Sequence, residues 1–157
     1  MADHHKALSD IDRSAKESSH LLVTIVTPTG TRAEYNVRHL RAPGIEGDFG
    51  VLPGHIPFMT GLKIGALILD LEKEQKLWAI SGGFAEVLSD HVTILAETAE
   101  PAESIDADRA EASRQRALNR LQERGALENF DVDRARIALA KALNRLSIAS
   151  GTSIKLN

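Results

Sequence analysis

The chain contains no cysteine, which excludes disulfides and thiolate-held metals and fits a reducing compartment. No apolar run approaches the ~20 residues that a membrane span requires. Enzymatic signatures are missing as well. There is no Gly-x-Ser-x-Gly and no His-Glu-x-x-His, and neither Gly-x-Gly-x-x-Gly nor the Gly-Lys-Ser/Thr phosphate loop occurs. His39, His55 and His91 fall in separate strands or corners, so no catalytic or metal cluster is expected. A net charge of -3 is close to neutral and argues against a nucleic-acid binder. Residues 1–20 are polar and mixed in charge. They lack the apolar stretch of a signal peptide, and their acids count against a transit peptide. A frayed, solvated extension is expected there.

What is present points to a globular chain. With 157 residues, 43% hydrophobic and 26% charged, it suits one domain plus a small appendage. Charge is uneven along the chain: nine Lys/Arg against fourteen Asp/Glu up to Ala102, then ten against eight. Glycine and proline are concentrated. Six of eleven glycines and three of five prolines lie between Ala42 and Ala66, separated by short apolar pieces. Glycine supplies the positive φ angles of tight corners, so this segment predicts strands joined by turns.

On either side the pattern is also that of strands. Leu21 to Thr27 is apolar and β-branched, Pro28-Thr29-Gly30 makes a turn, and Thr31 to Val37 follows. Val37 to Ala42 alternates and predicts a third strand ending at Pro43-Gly44. Ala66 to Leu71 and Gln75 to Ile80 flank the charged tip Glu72-Lys73-Glu74. Ser81 to Ala96 continues in the same manner, with Gly82-Gly83 predicted as a corner where strands pack closely. Short strands punctuated at such intervals imply an antiparallel β-sandwich or barrel.

Near Ala102 the character changes to alanine-rich helix. Asp106 to Leu121 has neither proline nor glycine, acid leads and arginine follows, and Gly125 suits a helix stop. Asp131 suits the N-cap of a second helix, whose stripe is Val132, Ala135, Ala138, Leu139, Ala142, Leu143 and Leu146. A short connection around Leu127 predicts an antiparallel two-helix hairpin. The expected organisation is an extension over 1–20, a sandwich over 21–102, a hairpin over 103–150 and a tail over 151–157. The stripes are mostly alanine, which buries far less than the ~1.5–3 kcal/mol of a large side chain. Such a hairpin should be able to leave the sandwich.

Three separated motifs, in order, carry a resemblance. Gly-Asp-Phe-Gly-Val-Leu-Pro-Gly-His-Ile-Pro-Phe-Met-Thr-Gly-Leu-Lys-Ile-Gly, ending at Gly65, resembles the signature segment of epsilon subunits of F-type ATP synthases. Ser81-Gly-Gly-Phe-Ala-Glu-Val and Val92-Thr-Ile-Leu-Ala resemble strands of their sandwich. Ile105-Asp-Ala-Asp-Arg-Ala110 resembles the motif by which some bacterial members bind ATP, and Lys141-Ala-Leu-Asn-Arg145-Leu resembles its companion in the second helix. The resemblance spans about Leu22 to Leu146.

The spacing bears on the last pair. Arg109 and Arg116 share one helical face, as do Lys141 and Arg145, and antiparallel folding would bring all four cations together. A phosphate chain would neutralise them, with Ile105 packing against the base and Asp106 or Glu100 accepting from its amino group; Ala110 completes the motif among the candidate ATP-binding residues. A solvated face of Arg–Glu pairs fits the same spacing.

The resemblance further implies that Asp48 and His55 face the membrane rotor ring. It implies a non-catalytic rotor subunit with no required cofactor and ATP as a regulatory ligand. Its partners would be the gamma subunit, the ring of c subunits and, when extended, the alpha/beta head. It would be peripheral to the cytoplasmic face of a bacterial plasma membrane, the thylakoid being the other setting. The alternative is a free-standing nucleotide-sensing module, which would not co-purify with such partners.

Overall fold

The computed structural model describes residues 20–122 and 132–151. The readings made for residues 1–19, Gly125, Leu127, Asp131 and the tail from Thr152 lie outside the described residues.

Eight strands come first: β1 Leu21–Thr27, β2 Gly30–Val37, β3 His39–Gly44, β4 Gly47–Val51, β5 Phe58–Asp70, β6 Gln75–Val87, β7 His91–Ala96 and β8 Ala99–Pro101. A 3-10 turn, Ala102–Ser104, leads into the helices α1 Ala107–Gln122 and α2 Val132–Ala149. The strands hydrogen-bond in the order β2-β1-β7-β6-β5-β3-β4, with β8 added to β6. The result is a mainly antiparallel β-sandwich followed by two helices, as the strand and helix patterns predict. One pairing departs from that rule, since β1 and β7 run parallel, with Val23 opposite Val92 and Ile25 opposite Ile94.

The long β5 and β6 run through both halves of the sandwich, and glycine marks where they bend. Gly82 and Gly83 both have positive φ, 87° and 126°. A Cβ on Gly83 would run into the Leu95 carbonyl oxygen, so only glycine fits this crossing. Alternation then fixes the core. Leu21, Val23 and Ile25 of β1 point inward and are fully buried, and they pack with Leu40, Leu67, Leu69, Ile80, Val87, Val92 and Ile94.

The third strand differs from its sequence reading. Val37 closes β2 opposite Leu21, whereas β3 begins at His39 and runs through Pro43 and Gly44. Pro43 is tolerated because the β3–β5 register shifts between Arg41 and Gly44, where no ladder N–H is required of it. Its ring fills the space over Gly65, where an added Cβ would stand 2.6 Å from the proline Cβ.

The helices are held by small residues. Ala110 and Ala117 of α1, and Ala135 and Ala142 of α2, are the buried alanines, spaced by seven on each helix, so each pair lies on one face. The observed stripe of α2 is narrower than its pattern predicts: Ala138 is exposed and Leu143 is 48% exposed, while Ile148 is buried. Two turns of alanine suffice for close packing against α1, so the larger leucines are left at the margin of the contact.

Candidate functional site

Where β8, the 3-10 turn and both helices meet, the fold leaves a cavity of about 550 Å³, within the range of small-molecule sites. Three arginines line it: Arg32 from β2, Arg109 from the first turn of α1 and Arg145 from near the end of α2. Because the start of α1 and the end of α2 share this cavity, the helices run antiparallel. Glu100, Asp106 and Ala110 line it with them, as do Trp78, Thr98, Ala99, Pro101 and Ser104.

Local chemistry sets each group in place. Asp106 caps α1, its Oδ1 accepting from the Arg109 backbone N–H at 2.9 Å. That leaves the Arg109 guanidinium without an ion pair among the described residues. Glu100 is carried on β8 opposite Ala79 of β6, and its Oε2 accepts from Arg145 Nε at 2.7 Å. Next to Arg145, Asn144 donates from Nδ2 to the Gly65 carbonyl at 2.9 Å and, longer, to that of Ile80 at 3.5 Å. Lys141 Nζ donates to Glu97 at 3.3 Å. Three polar side chains within two turns of α2 thus fasten the hairpin to the sandwich.

The structure therefore gathers five of the residues singled out in the sequence, namely Glu100, Asp106, Arg109, Ala110 and Arg145, and separates three others. Ile105 is half-buried just after the 3-10 turn, its N–H donating to the Ala102 carbonyl at 3.3 Å, and it is outside the cavity lining. Arg116 donates to Ser113 Oγ at 2.7 Å on the helix surface. Lys141 is held by Glu97. The expected convergence of four cations is thus a convergence of Arg109 and Arg145, because the carboxylate of Glu97 and the hydroxyl of Ser113 hold the other two. Arg114 makes the Arg–Glu pairing of a solvated helix face, donating to both oxygens of Glu111 at 2.9 and 3.0 Å from Nε and at 2.6 Å from Nη2. This contact holds the Glu111 carboxyl below, and the Arg114 guanidinium above, their ordinary pKa ranges.

Two lining residues had no sequence signal. Arg32 arrives through the strand order, and Trp78 through the pairing of β6 with β8, where it stands opposite Pro101. Trp78 is 4% exposed, stacks edge-on to Tyr35 at 6.2 Å, and its indole nitrogen has no hydrogen-bond partner among the described residues.

Asp48 and His55 lie apart from this cavity. Asp48, on β4, is ion-paired with Lys63 at 3.3 Å and Arg41 at 3.7 Å. His55 sits in the corner after β4, its Nδ1 donating to the Ile56 carbonyl at 2.8 Å, with the ring 5.1 Å from that of Phe58. The corner is fastened by the Gly54 N–H on the Ser89 carbonyl at 2.6 Å, and Leu52, Ile56 and Leu88 around it are exposed. A second exposed apolar group lies on the sheet. Phe84 is opposite Leu95, Met59 is two pairs along from Phe84 and so on the same face, and Ile45 covers Gly61 beside them.

Residues 20–102 match the family model of the ATP synthase delta/epsilon chain beta-sandwich domain, and residues 103–150 match that of its long alpha-helix domain. The chain belongs to the ATP synthase delta/epsilon family. Among its relatives in that family, the ATP synthase epsilon chain of Bacillus subtilis is 52% identical over 99 residues, covering 63% of this chain and 75% of the relative. That of Nitratidesulfovibrio vulgaris is 48% identical over 106 residues, 68% of this chain and 78% of the relative. The epsilon-type resemblance read from the three motifs is what these delta/epsilon matches show. Among solved structures, a chain of the Euglena gracilis mitochondrial ATP synthase OSCP/F1/c-ring assembly aligns with a TM-score of 0.73 at 25% identity, covering 87% of this chain and 84% of that one. A chain of the Tetrahymena thermophila mitochondrial ATP synthase central stalk/c-ring is similar in fold, at a TM-score of 0.53 and 15% identity, covering 89% of this chain and all of that one.

Proposed function

We propose that this chain is a non-catalytic central-stalk subunit of an F-type ATP synthase, whose sandwich joins the gamma subunit to the c-ring and whose hairpin regulates ATP hydrolysis by sensing ATP. Membership of the delta/epsilon family supports the stalk role, and so does the similarity to a chain found in an F1/c-ring assembly. The exposed apolar face of Ile45, Met59, Phe84 and Leu95 is the kind of surface that marks a protein contact, and is assigned to gamma. The corner at His55, with exposed Leu52 and Ile56, and the nearby β4 residue Asp48 are assigned to the ring. The bacterial relatives suggest the cytoplasmic face of a plasma membrane, and no described helix is long and apolar enough to cross one.

The observation that carries the regulatory reading is the way the hairpin is held. Its hydrogen-bonded contact with the sandwich is made by Lys141, Asn144 and Arg145 beside a cavity that presents the guanidinium of Arg109, which has no ion pair among the described residues. ATP in that cavity adds about RT ln(1 + [ATP]/Kd), roughly 1.4 kcal/mol at tenfold excess, to the docked state. When ATP falls, the docked state loses that increment, the hairpin extends toward the alpha/beta head, and hydrolysis is blocked. Hydrolysis by the assembled enzyme, with and without residues 103–157, tests the inhibition, and calorimetric titration of the full chain with ATP tests the sensing. Equal hydrolysis in both enzymes overturns the first, and no heat of binding at millimolar ATP overturns the second. Purification from membranes without gamma, alpha or beta would instead favour a free-standing module.

A further inference from the structure

The hairpin supplies two of the cavity's three arginines, and the third belongs to the sandwich. Arg32 lies on β2, the strand at one edge of the sheet, and lines the same cavity as Arg109 and Arg145. Like Arg109, its guanidinium has no ion pair or hydrogen bond among the described residues. The other cations near the hairpin are engaged: Arg145 with Glu100 at 2.7 Å, Lys141 with Glu97 at 3.3 Å and Arg116 with Ser113 at 2.7 Å. An entering anion must break one of those contacts to recruit an engaged cation, whereas Arg32 and Arg109 are available without such a loss.

We propose that Arg32 is a phosphate-binding residue of the nucleotide site, so that a nucleoside triphosphate bridges β2 and α1 and fastens the hairpin to the sandwich through its own charge. The inference rests on the nucleotide-sensing reading above and adds a residue from the other side of the domain border. A site built from the two helices alone would bind ATP as well on a detached hairpin as on a docked one. One that uses Arg32 loses a cation when the hairpin departs, and this gives ATP a preference for the docked state. A ligand shifts a conformational equilibrium only by its difference in affinity for the two states, and Arg32 provides that difference.

Trp78 is the only tryptophan of the chain and lies on the wall of the same cavity, so its fluorescence reports occupancy directly. The full chain is titrated with ATP as wild type, Arg32→Ala, Arg32→Lys, Arg109→Ala and Arg116→Ala, each checked for an unchanged thermal melt. Loss of one charge-assisted phosphate contact predicts roughly tenfold weaker binding for Arg32→Ala and for Arg109→Ala. Arg32→Lys, which keeps the charge but not the fork, recovers part of the loss, and Arg116→Ala stays within about twofold of wild type because Arg116 is bonded to Ser113 of its own helix and is outside the cavity lining. Hydrogen exchange in α2 should slow with ATP in wild type and much less in Arg32→Ala. Wild-type affinity in Arg32→Ala with weak binding in Arg109→Ala overturns the role of Arg32 and leaves the nucleotide reading standing. No binding by wild type overturns both. Should Arg32→Ala melt differently, Arg32→Lys decides alone: weaker binding than wild type supports a forked contact at Arg32, whereas full wild-type affinity overturns the assignment.

Discussion

Arg145 Nε lies 2.7 Å from Glu100 Oε2, joining the last turns of α2 to β8 across 45 residues of sequence. The two side chains are 29% and 32% exposed, so the pair is partly screened by water, and its net worth is near the ~1 kcal/mol upper end of surface pairs. A contact of that size positions the hairpin without locking it. It also means that Arg145 is not free in the docked state. An anion in the cavity has to share Arg145 with Glu100 or displace it, which moderates affinity and leaves room for regulation.

Asn144 is the more sensitive point of the same contact. Its Nδ2 donates to the Gly65 carbonyl at 2.9 Å, so a carboxylate in its place would face carbonyl oxygens with no proton to give. Asn144→Ala is expected to weaken docking by about 1 kcal/mol, and Asn144→Asp by more. Hydrogen exchange over residues 132–149 should therefore rise in the order wild type, Ala, Asp, while the strands stay protected. Equal protection of α2 in all three would show that apolar contacts, not Asn144, hold the helix.

Trp78 gives an asymmetric expectation. Its indole N–H is buried and unpartnered, so replacing it with phenylalanine removes an unsatisfied donor along with some packing area. Trp78→Phe should change the unfolding free energy by less than about 1.5 kcal/mol, whereas Trp78→Ala, which also loses the edge contact with Tyr35, should cost about 3–5 kcal/mol. Urea denaturation measures both, and similar losses in the two variants would mean that the nitrogen is satisfied after all.

Much of this arrangement was legible in local pattern, because the physics involved is local. Alternation places Leu21, Val23 and Ile25 inward, the glycine pair marks the bend at Gly82-Gly83, and Asp106 stands where a helix needs a cap. What the pattern missed depends on which strands become neighbours. Arg32 and Trp78 reach the cavity only after β8 adds to β6 and β1 pairs in parallel with β7, and no spacing along the chain encodes either event. Pro43 misled for a related reason, since whether proline ends a strand depends on what its missing N–H would have met across the sheet. Lys141 and Arg145 share a helical face, yet each meets its own carboxylate, Glu97 and Glu100. Helical periodicity indicates which residues are neighbours on a helix, not which acids await them on the sandwich.

On the exposed face of α1, acid should expose the Glu111–Arg114 contact. The hydrogen bonds from Arg114, reinforced by its charge, lower the Glu111 pKa in the folded chain. A lowered folded value means that the contribution of this pair is fully present above the ordinary glutamate pKa and is lost as pH falls through the lowered one. Carbon-detected titration of the Glu111 carboxyl should give a midpoint below the ordinary range in wild type and an ordinary one in Arg114→Ala. An unchanged midpoint would mean that the pair does not persist in solution.

The sandwich should stand without the hairpin. Every member of the buried apolar cluster lies between Leu21 and Ala99, and none comes from α1 or α2. The hydrogen bonds and ion pairs the helices make with the sandwich are set at its surface, through Glu97, Glu100 and the carbonyls of Gly65 and Ile80. Deleting everything after Ala102 keeps β8 on β6 and removes no side chain from that cluster. The fragment 1–102 is therefore expected to show strand-type circular dichroism and one cooperative thermal transition, with a denaturant slope reduced in line with the smaller surface it exposes on unfolding. Its midpoint should fall only slightly, because the lost docking contacts are of the ~1 kcal/mol kind. A non-cooperative melt, or loss of the strand signal, would mean that the helices complete the core and that the hairpin cannot leave the sandwich without unfolding it. The regulatory proposal would then fail for a reason unrelated to nucleotide, since an arm that the fold cannot release cannot extend toward the catalytic head.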